Sequence, residues 1–300
     1  MDAQRTLRRQ ISCAGIGLHS GNKVTLTLKP APAGTGILFR RVDLGVDIPA
    51  TVAHVTGIQY ATVLGKDGAT VETVEHLLAA LTSASIDNVI VELNQREVPI
   101  MDGSAAPFLY LLHEAGVKRL AAPRQYLKVL RPVTVSSGDK RVAVYPSDHF
   151  KVSYTISFDH PLLRHQSRTA RITEQSFAED LAPARTFGFL KEVEWLRQQG
   201  LALGGSLDNA VVIGDTGVLN ALRFEDEFVR HKILDAVGDL TLLGRPLLGH
   251  VVAHRAGHAL HTSLAARLLE DVDAWCLVDA PAAEAAEAAV FGAVPARAIS

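Results

Sequence analysis

Hydrophobic positions recur with two periods along this chain, and the periods divide it into strands and helices. Lys23-Val24-Thr25-Leu26-Thr27-Leu28-Lys29 alternates strictly and predicts a half-buried strand. A turn-rich stretch from Pro30 to Gly36 leads to a second strand that begins at Ile37-Leu38-Phe39-Arg40. Thr73 to Leu81 has helical spacing, with Thr73 placed to act as N-cap. This gives way at Ile86-Asp87-Asn88 to a strand from Val89 to Leu93, and a second helix is expected from Pro107 to about Ala115. Between Gly116 and Arg124 the pattern breaks around Ala121-Ala122-Pro123, the point where a domain boundary is expected. It then restarts with strands at Arg141–Tyr145 and Lys151–Phe158 and helical spacing near 174–180, 189–199, 224–243 and 261–270. Strands followed by helices in each half point to two α+β domains. The Ala-rich tail from Pro281 to Ser300 reads as a short helix or a frayed end.

One predicted helix is unusual in both of its faces. At about 100° per residue, Phe228, His231, Asp235 and Asp239 fall in one narrow strip. Val229, Ile233, Val237 and Leu240 form an apolar stripe on the opposite side, as a core-facing helix requires. The face opposite an apolar stripe is usually only solvated, and spacing alone makes half of a metal site the less common reading of the polar strip. An imidazole and a carboxylate one turn apart can bind the same ion, but a catalytic zinc usually takes three protein ligands.

Composition narrows the class. The chain has 300 residues, 48% apolar and 21% charged, which suits one large or two ordinary folded domains. A net charge of −2 and a pI near 6.6 give no general surface for nucleic acid or anionic membranes. Cys13 and Cys276 are too few for a disulfide framework or a thiolate zinc site. Neither an N-terminal apolar segment nor an 18-residue apolar run is present, so a cytoplasmic protein without a transmembrane span is expected.

Other polar residues could complete the chemistry. Glu75-His76 opens the first predicted helix with side chains about 100° apart. If His76 bound a metal, Glu75 would flank the site as a general base; the bland reading is the polar edge of a helix start. Four of the 12 histidines fall between His250 and His261, and Gly257-His258 suggests a loop or strand end. Gly204-Gly205-Ser206 lacks the spacing and lysine of a phosphate loop and reads as a turn. The His-Glu-x-x-His and Gly-x-Ser-x-Gly signatures are absent.

Taken in order, several segments give a closer resemblance. They are Gly15-Ile16-Gly17-Leu18-His19-Ser20-Gly21, Thr73-Val74-Glu75-His76-Leu77, Ile100 through Phe108, Ala184 through Phe189, Gly204 through Asn209, Leu222 through Asp239, and Gly257-His258-Ala259-Leu260. This set resembles the zinc-dependent UDP-3-O-acyl-N-acetylglucosamine deacetylases of lipid A synthesis in Gram-negative bacteria. The resemblance implies two similar α+β domains, each a sheet with two helices, packed as a β-α-α-β sandwich. Residues 1–120 would carry Glu75 and His76. Residues 126–300 would carry His231, Asp235, His258 and an acyl-chain tunnel insert at about 187–212. It further implies His76, His231 and Asp235 as ligands of Zn2+, with Fe2+ also possible, and Glu75 as general base. His258 would stabilise charge or protonate the leaving amine, Asp239 would orient it, and Lys232 and Thr186 would hold the oxyanion and position substrate. Phe187 belongs to the substrate site, while Lys140, Phe158 and Arg255 correspond to the nucleotide-sugar pocket.

The expected partner is an acylated UDP-N-acetylglucosamine, with no nucleic acid, and nothing requires more than a monomer. Two departures stand out: Val63 where many members carry Cys, and His261 where Asn is common. Neither touches the implied ligands or base. A zinc amidase for another N-acetylated sugar, or a non-catalytic acyl-nucleotide-sugar binder, remain the alternative classes.

Overall fold

A computed structural model describes residues 2–279 of the chain. The expectation for the Ala-rich tail from Pro281 lies outside the described residues. The first half builds a five-stranded sheet whose strands run, edge to edge, Ile11–Ile16, Lys23–Pro30, Val89–Leu93, Ile37–Arg41 and Val46–Pro49. The alternation read at 23–29 holds, with Val24, Leu26 and Leu28 buried. The second half builds a seven-stranded sheet around Leu247–His254. That strand pairs antiparallel with Lys140–Tyr145 and parallel with Phe150–Ile156, while its first two residues pair with Gln125–Val129.

Among the described residues six α-helices accompany the sheets: α1 (Glu75–Ser83), α2 (Ala106–Ala115), α3 (Glu174–Ser176), α4 (Leu190–Gln198), α5 (Glu227–Leu240) and α6 (His258–Glu270). α1 is buried everywhere except Thr82, and in α5 only Arg230 and Lys232 escape full burial. A helix buried on every side must lie between layers, and α1 and α5 pack on each other inside one continuous core. The architecture is a two-domain α+β sandwich with α1 and α5 between the sheets.

Gly238 is the point of closest approach between those helices. A Cβ built there would lie 2.0 Å from the Glu75 carbonyl oxygen, so only glycine lets the α5 backbone meet the first turn of α1. A second contact of this kind joins two sequence motifs. Gly103 has φ +84, and a Cβ there would lie 1.9 Å from the Asn209 carbonyl oxygen.

Two local expectations, at Thr73 and at His258, are corrected. Thr73 is not the N-cap of α1: its φ of +59 is outside capping geometry, its hydroxyl donates to Glu97 Oε1 at 3.1 Å, and Val74 takes the cap position. The pattern break at Ala121-Ala122-Pro123 is the end of a strand, Val117–Pro123, paired with Ala3–Leu7. Pro123 is tolerated there because it stands at the strand's last position. His258 is on neither loop nor strand end but is the first residue of α6, which starts three residues before the expected 261. No described helix is long and apolar enough to cross a membrane.

Candidate metal centre and active site

Because α5 is sandwiched, its polar strip is buried rather than solvated. His231 and Asp235 are each 2% exposed and Asp239 is fully buried. α1 lies against this strip and delivers His76, 4% exposed. Asp235 Oδ1 lies 3.2 Å from His231 Nε2 and 3.6 Å from His76 Nε2. The two imidazoles meet edge to face at 4.9 Å between centroids, and the ligand atoms of all three residues fall within 4.8 Å of one another.

The hydrogen bonding indicates what such a cluster is for. His231 Nδ1 donates to the Ala184 carbonyl at 3.0 Å, which leaves Nε2 as the bare nitrogen facing Asp235. Burial pushes the His231 pKa down to about 4, so the ring is neutral at neutral pH, as a ligand must be. Lys232 Nζ occupies Asp235 Oδ2 at 2.8 Å, whereas Oδ1 is buried with no hydrogen-bond partner. Burial would raise Asp235, but His231 and Lys232 outweigh it and hold its carboxyl well below the usual range. An unpartnered carboxylate oxygen facing two imidazole nitrogens is a donor set that fits a divalent cation.

Next to it stands a set of acid–base groups. Glu75 Oε2 accepts the Thr62 N–H at 3.1 Å, and its Oε1 lies 3.9 Å from His258 Nε2. Burial raises the Glu75 pKa above its ordinary value, with His258 and His76 opposing. His258 Nδ1 donates to Asp239 Oδ2 at 2.8 Å. Burial works against its cation, but Asp239, Glu75 and Asp235 prevail and push its pKa up to about 9. For Asp239, burial is outweighed by His258 and by hydrogen bonds from His258 and His261, which bring its pKa down to about 2. A carboxyl group raised toward neutrality facing a persistent imidazolium is an acid–base pair poised for proton transfer.

Thr186 and Phe187 belong to the segment that supplies Ala184, and the Phe187 ring reaches the site. Arg185 anchors this segment, bonding Glu227 at 2.9 Å and 3.2 Å at the start of α5. The Thr186 N–H donates to Gly103 O, and the Phe187 ring packs on Phe228 at 5.0 Å and on His231 at 6.2 Å. Lys232 Nζ lies 5.6 Å from the centre of that ring. Phe158 packs on Phe187 and Phe189. Lys140 and Arg255 lie farther out, beside one hairpin: Lys140 is exposed opposite Ser137, and Arg255 pairs with Asp139 at 2.7 Å.

Several participants escape the sequence reading. Thr62 bridges the two acids, its N–H on Glu75 and its Oγ1 2.5 Å from Asp239 Oδ1. Nothing in Ala61-Thr62-Val63 signals this. His261 reaches the same carboxylate as His258, and Tyr154 stands behind it. His19, inside the Gly15–Gly21 motif, is 8% exposed with both ring nitrogens unpartnered.

A buried His₂Asp donor set flanked by a carboxyl group and an imidazole is the arrangement of a metal-dependent hydrolase. Comparison with known proteins makes the class specific. The chain belongs to the UDP-3-O-acyl N-acetylglycosamine deacetylase family, whose profile matches residues 4–270. It is 51% identical over 284 residues to the UDP-3-O-acyl-N-acetylglucosamine deacetylase of Pseudomonas entomophila (strain L48), covering 93% of this chain and 94% of that protein. The protein of the same name from Geobacter sp. (strain M21) is 52% identical over 280 residues, covering 92% of each. That from Myxococcus xanthus (strain DK1622) is 51% identical over 281 residues, covering 92% of this chain and 90% of that protein.

Proposed function

We propose that this chain hydrolyses the N-acetyl group of UDP-3-O-(3-hydroxyacyl)-N-acetylglucosamine, the committed step of lipid A synthesis. The products are acetate and UDP-3-O-(3-hydroxyacyl)-glucosamine. The observation that carries the reading is Asp235 Oδ1, buried and unpartnered between His76 Nε2 and His231 Nε2, with Glu75 adjoining. These three residues would hold Zn2+ or Fe2+, which when bound polarises the amide carbonyl and acidifies a water beside it. Glu75, raised by burial and aimed by the Thr62 N–H, takes the proton from the attacking water. Lys232, kept charged by Asp235 despite its burial, and Thr186 hold the oxyanion that develops on the carbonyl. His258 gives its Nε2 proton to the departing nitrogen while Asp239 fixes Nδ1. Water is consumed, the C–N bond breaks, and the amine leaves protonated.

Phe187 frames the sugar, and Lys140, Phe158 and Arg255 face the nucleotide. The acyl chain runs along the 187–212 insert, where α4 has no buried residue and Leu190, Trp195, Leu203 and Leu207 are exposed apolar surface. Residues 1–120 and 126–300 act as the two domains of a cytoplasmic monomer, a setting consistent with free thiols at Cys13 and Cys276. The test is metal analysis combined with a deacetylation assay on the acylated UDP-sugar and its unacylated counterpart. Stoichiometric metal, strong preference for the acylated substrate, and loss of about 10²–10⁴-fold in kcat for Glu75→Gln with metal retained are expected. Equal turnover of the unacylated sugar would overturn the substrate assignment.

A further inference from the structure

α5 carries two imidazole–carboxylate clusters one turn apart, and their chemistry differs. In the first, Asp235 Oδ1 lacks a partner. In the second, formed by Asp239, His258 and His261, every carboxylate oxygen is engaged. Asp239 Oδ2 takes His258 Nδ1 and His261 Nδ1, each at 2.8 Å, and Oδ1 takes Thr62 Oγ1 at 2.5 Å. An ionised carboxylate only accepts, so both Nδ1 atoms carry protons. This leaves His261 Nε2 to face the Tyr154 hydroxyl at 3.0 Å. With the His261 ring neutral and its proton on Nδ1, Nε2 can only accept, so the completely buried Tyr154 hydroxyl is the donor. The second cluster is therefore a directed hydrogen-bond chain, Tyr154 to His261 to Asp239, rather than a second metal site.

We propose that His261 is a positioning residue for the acid–base step: its Nδ1–H takes up part of Asp239 Oδ2 and so limits how strongly Asp239 holds the proton on His258. The inference rests on the deacetylase reading only for the role of His258 as proton donor. His261 is fully buried on α6, one turn beyond His258. Its ring has a single orientation that satisfies both Tyr154 and Asp239. Without that N–H, Asp239 would give its full basicity to His258, and a more basic imidazole is a poorer acid toward a leaving amine. The charged groups around His258 are Glu75 from α1, Asp235 and Asp239 from α5, and Lys232 as their common counter-charge. Only Asp239 is shared with His261.

The test is an NMR titration of the histidine rings in the metal-free full chain, with His258 assigned through its loss in His258→Gln. His261→Leu removes the donor and should raise the His258 midpoint by about half a pH unit or more. Tyr154→Phe weakens the donor and should move it in the same direction by less. His261→Asn presents an amide N–H in place of Nδ1 and should keep the wild-type midpoint. In the metal-loaded enzyme the alkaline limb of kcat/KM should move with each midpoint. A folded His261→Leu that titrates as wild type overturns the proposal. So does a Tyr154→Phe midpoint that stays put or falls, and this arm decides the question if His261→Leu does not fold. The titration needs neither metal nor substrate, so its failure is distinct from failure of the deacetylation assay.

Discussion

Substituting Gly238 by alanine should damage both stability and catalysis, although the same change in most helices is favourable. In an exposed helix interior Gly→Ala gains about 1 kcal/mol from propensity. Here the new Cβ would lie 2.0 Å from the Glu75 carbonyl oxygen, 2.7 Å from its carbon and 3.0 Å from its Cα. All three are backbone atoms of α1, so no side-chain rotation relieves the overlap. Restoring an ordinary contact requires α1 and α5 to separate by about 1 Å, enough to forfeit a quarter to a half of each dispersion contact across the seam. Overpacking of this kind costs about 1–3 kcal/mol and sometimes more, which exceeds the propensity gain. Less the propensity gain, the net cost is up to about 2 kcal/mol, and at roughly 2 °C per kcal/mol for a chain of this size Tm should fall by up to about 4 °C. The residue pushed away is Glu75 with His76 beside it, while His231 and Asp235 stay on the other helix. A displacement of about 1 Å at the reacting groups predicts a loss on the order of 10²-fold in kcat. Calorimetry of metal-free and metal-loaded protein, with kcat on the acylated UDP-sugar, reads both effects. A Tm equal to or above wild type would refute the packing argument. A lowered Tm with unchanged kcat would refute the claim that this seam sets the site.

Two further outcomes follow from the site's charges. His258 is held up at about 9, so its contribution to stability is complete below its ordinary value of 6.5 and is lost as pH rises through about 9. Thermal melts should therefore weaken across that window, His258→Gln should flatten the slope, and kcat/KM should decline with a midpoint near the same pH. Removal of metal by a chelator should lower Tm, and a stoichiometric divalent ion should restore it, because only the folded chain brings His76, His231 and Asp235 together. His231→Ala should show neither response; a chelator-sensitive Tm in that variant would contradict the ligand assignment.

How much of this was legible in the sequence depends on how local each feature is. The 231–235–239 spacing could be read because one helix carries it and its period is fixed. Whether that strip met water could not, since an apolar stripe on the opposite face is equally compatible with a surface helix. Burial of the strip comes from α1, more than 150 positions earlier in the chain. The third ligand and the base arrive the same way, and ordered family motifs exposed them where spacing could not. Thr62 left no trace because its role rests on one N–H and one hydroxyl, a demand many residues could meet locally. Thr73 misled because an N-cap is inferred from residue type, while its left-handed φ and its bond to Glu97 are properties of the fold.

The two clusters on α5 also explain why the same residue types serve different ends one turn apart. Lys232 takes one oxygen of Asp235 and nothing takes the other, so a neutral imidazole such as His231 gains no proton and keeps a lone pair to give. No ammonium hydrogen-bonds to Asp239; its oxygens meet the Thr62 hydroxyl and two imidazole N–H groups, and His258 becomes a stable cation. The lysine thus acts twice. It opposes a proton on His231, which burial already disfavours, and it leaves Asp239 as the strongest anion for His258. On these grounds, exchanging His231 and Lys232 would remove one ligand and place an ammonium in its position, so no metal site would form although composition would be unchanged.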